Sequence, residues 1–211
     1  MRHFPVARDG LSYLLVLALV TLGGFLWNPW AGLLGLLLLA FVAFFFRDPE
    51  RSAPEGEVVV SPADGRVMSV SRLYEPRYLK GDATVVTIFL SIFNVHINRA
   101  PIAGRVGYRE YVPGKYLVAY AEKASEINER NYLGLETESG KRFLVVQIAG
   151  LVARRIVCWP QVGDPLAKGE RFGLIKFGSC TQVYLPPDAE ITVKPGDTVR
   201  GGLTVIGRSR P

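Results

Sequence analysis

A chain of 211 residues and 23.3 kDa has room for one domain of ordinary size, or a smaller one with an appendage, which excludes a multidomain enzyme. Its 49% hydrophobic content and mean hydropathy of +0.20 exclude both a disordered chain and an ordinary soluble domain. Two cysteines, Cys158 and Cys180, are too few for a disulfide framework, and the net charge of +6 without interleaved aromatic and basic residues favours an anionic lipid surface over nucleic acid.

The apolar excess lies at the N-terminus. From Gly10 to Phe46, 37 consecutive residues carry no Asp, Glu, Lys, Arg or His. Asn28 and Pro29 divide them into two runs of 17 residues, Leu11 to Trp27 and Trp30 to Phe46. Each run spans roughly 25 Å as a helix, whereas the whole stretch would overshoot a bilayer core of about 30 Å. A helical hairpin is predicted, with Trp27 and Trp30 as interfacial anchors and Arg2, Arg8, Arg47 and Arg51 together on the cytoplasmic side. A re-entrant or single kinked helix is the alternative. A cleaved signal peptide fits poorly, because apolar character resumes after Pro29. Residues 1–46 are thus read as a membrane anchor and 47–211 as the folded part, which carries 23 basic and 18 acidic residues.

From Glu57 onward short β-rich runs alternate with glycine turns: Val58 to Val60, Thr84 to Phe89, Phe143 to Ile148, Ile156 to Trp159, Gln182 to Leu185 and Leu203 to Ile206. The most helical piece, Ala119 to Asn128, reads as one or two turns. The fold class expected is mostly β, a compact sandwich or barrel-like domain behind the hydrophobic hairpin. Residues 163–169 and 196–202 repeat the form G-D-x-apolar-x-basic-G, a turn, a short extended step and a second turn. Similar turns occur in lipoyl and biotinyl carrier domains, a likeness of fold only.

Three places could carry chemistry. Asp64 stands in Ser61-Pro62-Ala63-Asp64-Gly65, where it could brace the turn, orient an imidazole, or do both. His96 closes the apolar strand Phe89 to Val95. It is one of two histidines, the other being His3 in the N-terminal tail, so a multi-histidine metal site is excluded. Ser179 follows Gly178 between two apolar runs, outside any G-x-S-x-G elbow. A seryl oxygen there could attack the preceding carbonyl and convert the amide to an ester.

Taken in order, Phe45-Phe46-Arg47-Asp48-Pro49-Glu50-Arg51, Ser61-Pro62-Ala63-Asp64-Gly65, Phe93-Asn94-Val95-His96-Ile97-Asn98-Arg99-Ala100-Pro101, Asn128-Glu129-Arg130-Asn131 and Lys176-Phe177-Gly178-Ser179 resemble the phosphatidylserine decarboxylases of the compact, pyruvoyl-dependent type. The resemblance covers essentially the whole chain. It departs in having Cys180 after the serine and Asn94 where the family usually has aspartate.

The resemblance implies a self-cleaving triad of Asp64, His96 and Ser179, with the break between Gly178 and Ser179. It implies a pyruvoyl cofactor made from Ser179, a large chain of residues 1–178 and a small chain of 179–211. The reaction implied is loss of CO2 from phosphatidylserine through a Schiff base, giving phosphatidylethanolamine without a metal ion. His96 is the expected proton donor to the substrate carbon. Arg99, then Arg47 and Arg130, are candidates for the lipid phosphate. Expected partners are a membrane lipid and a second copy of the chain, not nucleic acid, with the catalytic part on the cytoplasmic side of the cell membrane. The competing readings are a decarboxylase of a serine-headed ether lipid, a Ser-His-Asp hydrolase, and a non-enzymatic β-module tethered to the membrane.

Overall fold

The computed structural model describes residues 5–115, 127–150, 155–176 and 179–208, with residue 179 described by its backbone alone. His3, most of the 119–128 piece and Gly178 lie outside the described residues. The chain divides into two compact units, Met1–Glu50 and Arg51–Pro211.

The first unit is a pair of apolar helices forming a hairpin. Helix α1 covers Leu11–Trp27 and helix α2 covers Pro29–Phe45. The second begins one residue earlier than its apolar run, because proline at the first helical position loses no hydrogen bond. The Asn28 side chain caps it by accepting from the Trp30 N–H at 2.8 Å. Small residues let the helices approach. A Cβ on Gly35 would lie 2.7 Å from the Thr21 hydroxyl, and one on Gly32 would collide with the Phe25 ring. At the open end the Ala7 N–H donates to the Phe46 carbonyl and the Asp48 N–H to Pro5, closing the hairpin. Leucines, Trp27 and Trp30 project outward, and the stretch Arg8–Trp27 is long and apolar enough to cross a membrane.

The second unit is built on a curled sheet. Its middle strands are β3 (Gly81–Leu90), β11 (Ser179–Leu185), β7 (Arg142–Ala149) and β6 (Arg130–Glu136). These are flanked on one side by β2 (Gly65–Glu75) and β13 (Thr198–Val199), and on the other by β5 (Gly104–Val112) and β9 (Pro165–Leu166), giving the order β13-β2-β3-β11-β7-β6-β5-β9. Two small sheets accompany it. One joins β1 (Val58–Val60), β14 (Val205–Arg208) and β12 (Glu190–Ile191). The other joins β4 (Ile97–Arg99), β10 (Arg171–Lys176) and β8 (Arg155–Cys158).

The strand order reads alike from both ends. Exchanging β1, β2, β3, β11, β12, β13 and β14 with β4, β5, β6, β7, β8, β9 and β10 maps each sheet onto an equivalent pattern. Hydrogen bonds obey the same exchange. The Val60 N–H donates to the Pro101 carbonyl at 2.9 Å, and the Arg99 N–H returns a bond to Pro62 at 2.9 Å. The two G-D turns of the sequence are equivalent elements of these halves. Gly163 and Gly196 have φ of +97° and +99°, and Gly169 and Gly202 have +79° and +75°, conformations that suit glycine.

Burial explains which strands the sequence showed. β7 puts Phe143 and Val145 into one apolar cluster and Leu144, Val146 and Ile148 into another, so both faces are covered and the strand reads as an unbroken apolar run. β2 leaves Arg66, Met68, Arg72 and Leu73 exposed and interrupts its apolar pattern with charge, so it shows no such run.

Candidate active site

Five strand ends of the large sheet converge where β11 begins. Residue 179 is paired with Leu90 on one side and Ala149 on the other, Arg130 pairs with Ile148, and Arg66 pairs with Phe89. The start of β11 is therefore held by backbone ladders on both flanks. β10 ends at Lys176, just ahead of Phe177 and Gly178. His96 is buried immediately before β4, and its carbonyl accepts from the Ile175 N–H at 3.3 Å. The imidazole-bearing segment is thus fixed to the strand that leads into the Gly178–Ser179 bond.

Asp64 precedes β2 at the same end. Its carboxylate accepts from both terminal nitrogens of Arg51, at 2.5 and 2.9 Å, and from the Gly201 N–H at 2.7 Å. The Arg51 guanidinium also donates to the Gly201 carbonyl at 2.6 Å. Both side chains are nearly buried, so this is a desolvated bidentate pair. Asp64 and His96 are not joined by a hydrogen bond: the carboxylate's partners are Arg51 and the Gly201 backbone. Arg51, expected on the cytoplasmic side and within the folded part, belongs to the second unit and holds Asp64. No local feature distinguishes Arg51 from its neighbour Arg47, so sequence alone could not single it out.

A polar row separates this end from the apolar core. Along one face, β6 runs Leu135, Leu133, Asn131; β7 runs Phe143, Val145, Gln147; β11 runs Leu185, Val183, Thr181. Each strand changes from apolar to polar at the position nearest the site. Asn131 donates its amide to Gln147 Oε1 at 3.0 Å, Gln147 donates to Asn98 Oδ1 at 2.9 Å, and Asn98 donates to Thr181 Oγ1 at 3.1 Å. All four are buried. The chain of bonds ties β4, which follows His96, to β11, which starts at residue 179. A polar residue at an inward position of an otherwise apolar strand was the signal for this row.

The arginines separate. Arg99 is fully buried, and one terminal nitrogen donates to the Gly169 carbonyl at 2.9 Å. Its packing is tight enough that a Cβ on Gly202 would lie 2.8 Å from Arg99 Cδ. Arg47 belongs to the first unit and donates to the Phe44 carbonyl at 2.7 Å while stacking over that ring. Arg130 is half-buried at the site end of β6. Burial pushes the Cys180 thiol up to about 12, which makes it inert at neutral pH despite its place beside the serine. Asn94 uses its side-chain oxygen to accept from the Ser91 N–H at 2.9 Å, a role that needs an acceptor and no charge.

No group of three or more metal-ligating side chains occurs among the described residues. A cavity of 1110 Å³ lies at the opposite end of the sheet, lined by Val58, Ile102, Phe143 and Leu166, and includes none of the site residues named above.

The family model for phosphatidylserine decarboxylase matches residues 38–207. A phosphatidylserine decarboxylase proenzyme from Symbiobacterium thermophilum is 58% identical over 99% of this chain and 97% of its own length. Proteins of the same description from Carboxydothermus hydrogenoformans and Syntrophus aciditrophicus are 53% identical over 95% of each chain, and 43% identical over 98% of this chain and 99% of theirs.

Proposed function

The chain belongs to the pyruvoyl-dependent phosphatidylserine decarboxylase family, and from that premise we propose which of its residues carry the reaction. The activity is removal of CO2 from phosphatidylserine to give phosphatidylethanolamine. Residues 1–46 serve as the membrane anchor and 47–211 as the catalytic part, on the cytoplasmic side of the cell membrane.

The first task is self-cleavage. His96 takes the proton from the Ser179 hydroxyl, whose oxygen bonds to the Gly178 carbonyl carbon. The C–N bond breaks, the nitrogen takes up a proton, and an ester replaces the amide. Loss of the Ser179 α-proton then expels the Gly178 carboxylate and leaves dehydroalanine. Tautomerisation and attack of water yield a ketone and ammonia. Asp64 is the third member of the proposed triad, its carboxylate held in place by Arg51 and the Gly201 N–H. The products are a chain of residues 1–178 and one of 33 residues, 179–211.

The residues around position 179 suit a covalent group there. The backbone at position 179 is paired with Leu90 and Ala149, and buried His96 lies on the segment whose carbonyl accepts from the Ile175 N–H. A pyruvoyl group provides an electron sink for the carbanion left by departing CO2. Having served in cleavage, His96 holds the proton that the substrate carbon takes. Arg130, which is half-buried at the same sheet end, is a better candidate for the lipid phosphate than buried Arg99.

The observation carrying this reading is the bond between the His96 carbonyl and the Ile175 N–H, which anchors the histidine to the strand entering the cleavage point. Expressing the His96→Ala variant tests it. The variant should accumulate as an uncleaved chain; normal processing would show that the imidazole has been given the wrong first task.

A further inference from the structure

The lipid's acyl chains stay in the bilayer while its headgroup must reach position 179, so the sheet end holding that position has to meet the membrane. The surface of that end is built for such a meeting. Between β3 and β4 the chain makes a tight turn in which the Asn94 N–H donates to the Ser91 carbonyl at 3.0 Å, while the Asn94 side chain accepts from the Ser91 N–H at 2.9 Å. The Phe93 N–H donates to the Ser91 hydroxyl at 3.3 Å. These bonds hold Ile92 and Phe93 outward, 37% and 64% exposed, three residues before buried His96.

The same end carries matching features on other strands. Tyr111, at the end of β5, is 55% exposed, and Ile127, ahead of β6, is 40% exposed. Exposed Lys115 and Arg155 stand among them. The one acid in the described segments 90–96, 111–115, 127–130 and 155–159 is Glu129, which is buried and accepts from the Ile156 N–H at 3.2 Å. The surface is therefore apolar at its tips and cationic between them, which complements anionic headgroups over a hydrocarbon layer.

We propose that this sheet end is a second membrane contact, in which the Ile92–Phe93 tip enters the headgroup layer of an anionic bilayer and Lys115 and Arg155 pair with its phosphates. The contact is made by residues of the second unit and presents the site to lipid already in the membrane. It rests on the decarboxylase reading for its purpose, but its principal test does not.

The full chain is placed in phosphatidylcholine vesicles containing a minor share of phosphatidylserine, with brominated phosphatidylcholine as quencher. Fluorescence added by Phe93→Trp should be quenched, whereas that added by Tyr74→Trp, near the far end of β2, should not. Absence of quenching at 93, or equal quenching at both positions, overturns the proposal. This readout reports bilayer contact whatever reaction the protein performs.

Kinetics supply the second arm. The Ile92→Ser/Phe93→Ser variant should need about tenfold more phosphatidylserine per unit of membrane for half-saturation, while Phe93→Leu behaves as the parent. Both should self-cleave. An unchanged half-saturation in the double variant contradicts the proposal. So does concentration-dependent self-association in detergent that the double variant abolishes, since that would assign the face to a second copy of the chain.

Discussion

The two halves of the sheet domain use the same parts and end them differently. In one half β6 and β7 are joined by a tight hairpin, with the Thr137 N–H donating to the Lys141 carbonyl at 2.9 Å and Gly140 at φ +80°. Their counterparts β3 and β11 lie side by side in the same way, with Leu90 opposite residue 179, but no hairpin joins them. The chain leaves at Leu90, builds the whole of the other half, and returns at residue 179. The proposed break falls at that return.

The comparison shows why such a break is tolerable. Cutting beside residue 179 removes a connection, while β11 keeps ladders to β3 and β7, β13 keeps β2, and β14 keeps β1. A second contrast lies in the arms. Ser61-Pro62-Ala63-Asp64-Gly65-Arg66-Val67 and Ala100-Pro101-Ile102-Ala103-Gly104-Arg105-Val106 are equivalent, and each ends in a valine N–H bonded at 2.9 Å to the carbonyl of the aspartate in its G-D turn. Only the first arm carries an acid at its fourth position, where the second has Ala103. The turn itself therefore does not need the carboxylate, which in the first arm holds Arg51 and the Gly201 N–H instead.

The sharpest way to break this comparison is to make the arms alike. Asp64→Ala leaves Arg51 as a buried cation without its carboxylate, a loss of about 3–5 kcal/mol, and should abolish self-cleavage. Ala103→Asp in the other arm should leave cleavage intact. Equal effects on the two arms, read by gel and thermal unfolding, would erase the distinction drawn between them.

A smaller effect is expected in the polar row. Thr181→Val removes the acceptor of the Asn98 amide and should cost about 1–3 kcal/mol with slower cleavage, whereas Thr181→Ser should restore both. If serine fails to rescue the cleavage rate, the row is packing and does not position β4 against β11.

Smaller still is the response of the cleaved protein to separation. The small chain supplies β11 to the middle of the sheet, so the two chains should co-elute without denaturant. Dissociation under native conditions would contradict the placement of β11. The least change is expected at Cys180. With its thiol pushed up to about 12 by burial, almost none is thiolate at neutral pH, and alkylation of the folded protein should leave it unmodified. Rapid labelling there would mean that the strand start is open.

The sequence made some of this plain for physical reasons. The hairpin was legible because 37 uncharged residues interrupted by Asn-Pro admit few other structures. β1, β3, β7, β8, β11 and β14 showed as apolar runs, whereas β2 and β5, which carry charges along their length, and β6, which is bounded by Arg130 and Glu136, went unseen. Ser179, His96 and Asp64 are proposed from motif order, and the turn around Asp64 was legible through Pro and Gly. Arg51 was not, since its partner is set by tertiary structure. Nor was the burial of Arg99, whose residue type suggests a surface ligand. The paired halves were half legible: the G-D turns were noticed, and the match between residues 61–67 and 100–106 becomes meaningful only once their strands are seen to be equivalent.

Intact mass measurement of the purified, active protein, with and without a carbonyl-trapping hydrazine, bears most directly on the whole account. Two chains should appear, the smaller beginning at position 179 and gaining one hydrazone. A single 23.3 kDa chain that ignores the hydrazine yet releases CO2 from phosphatidylserine would contradict it.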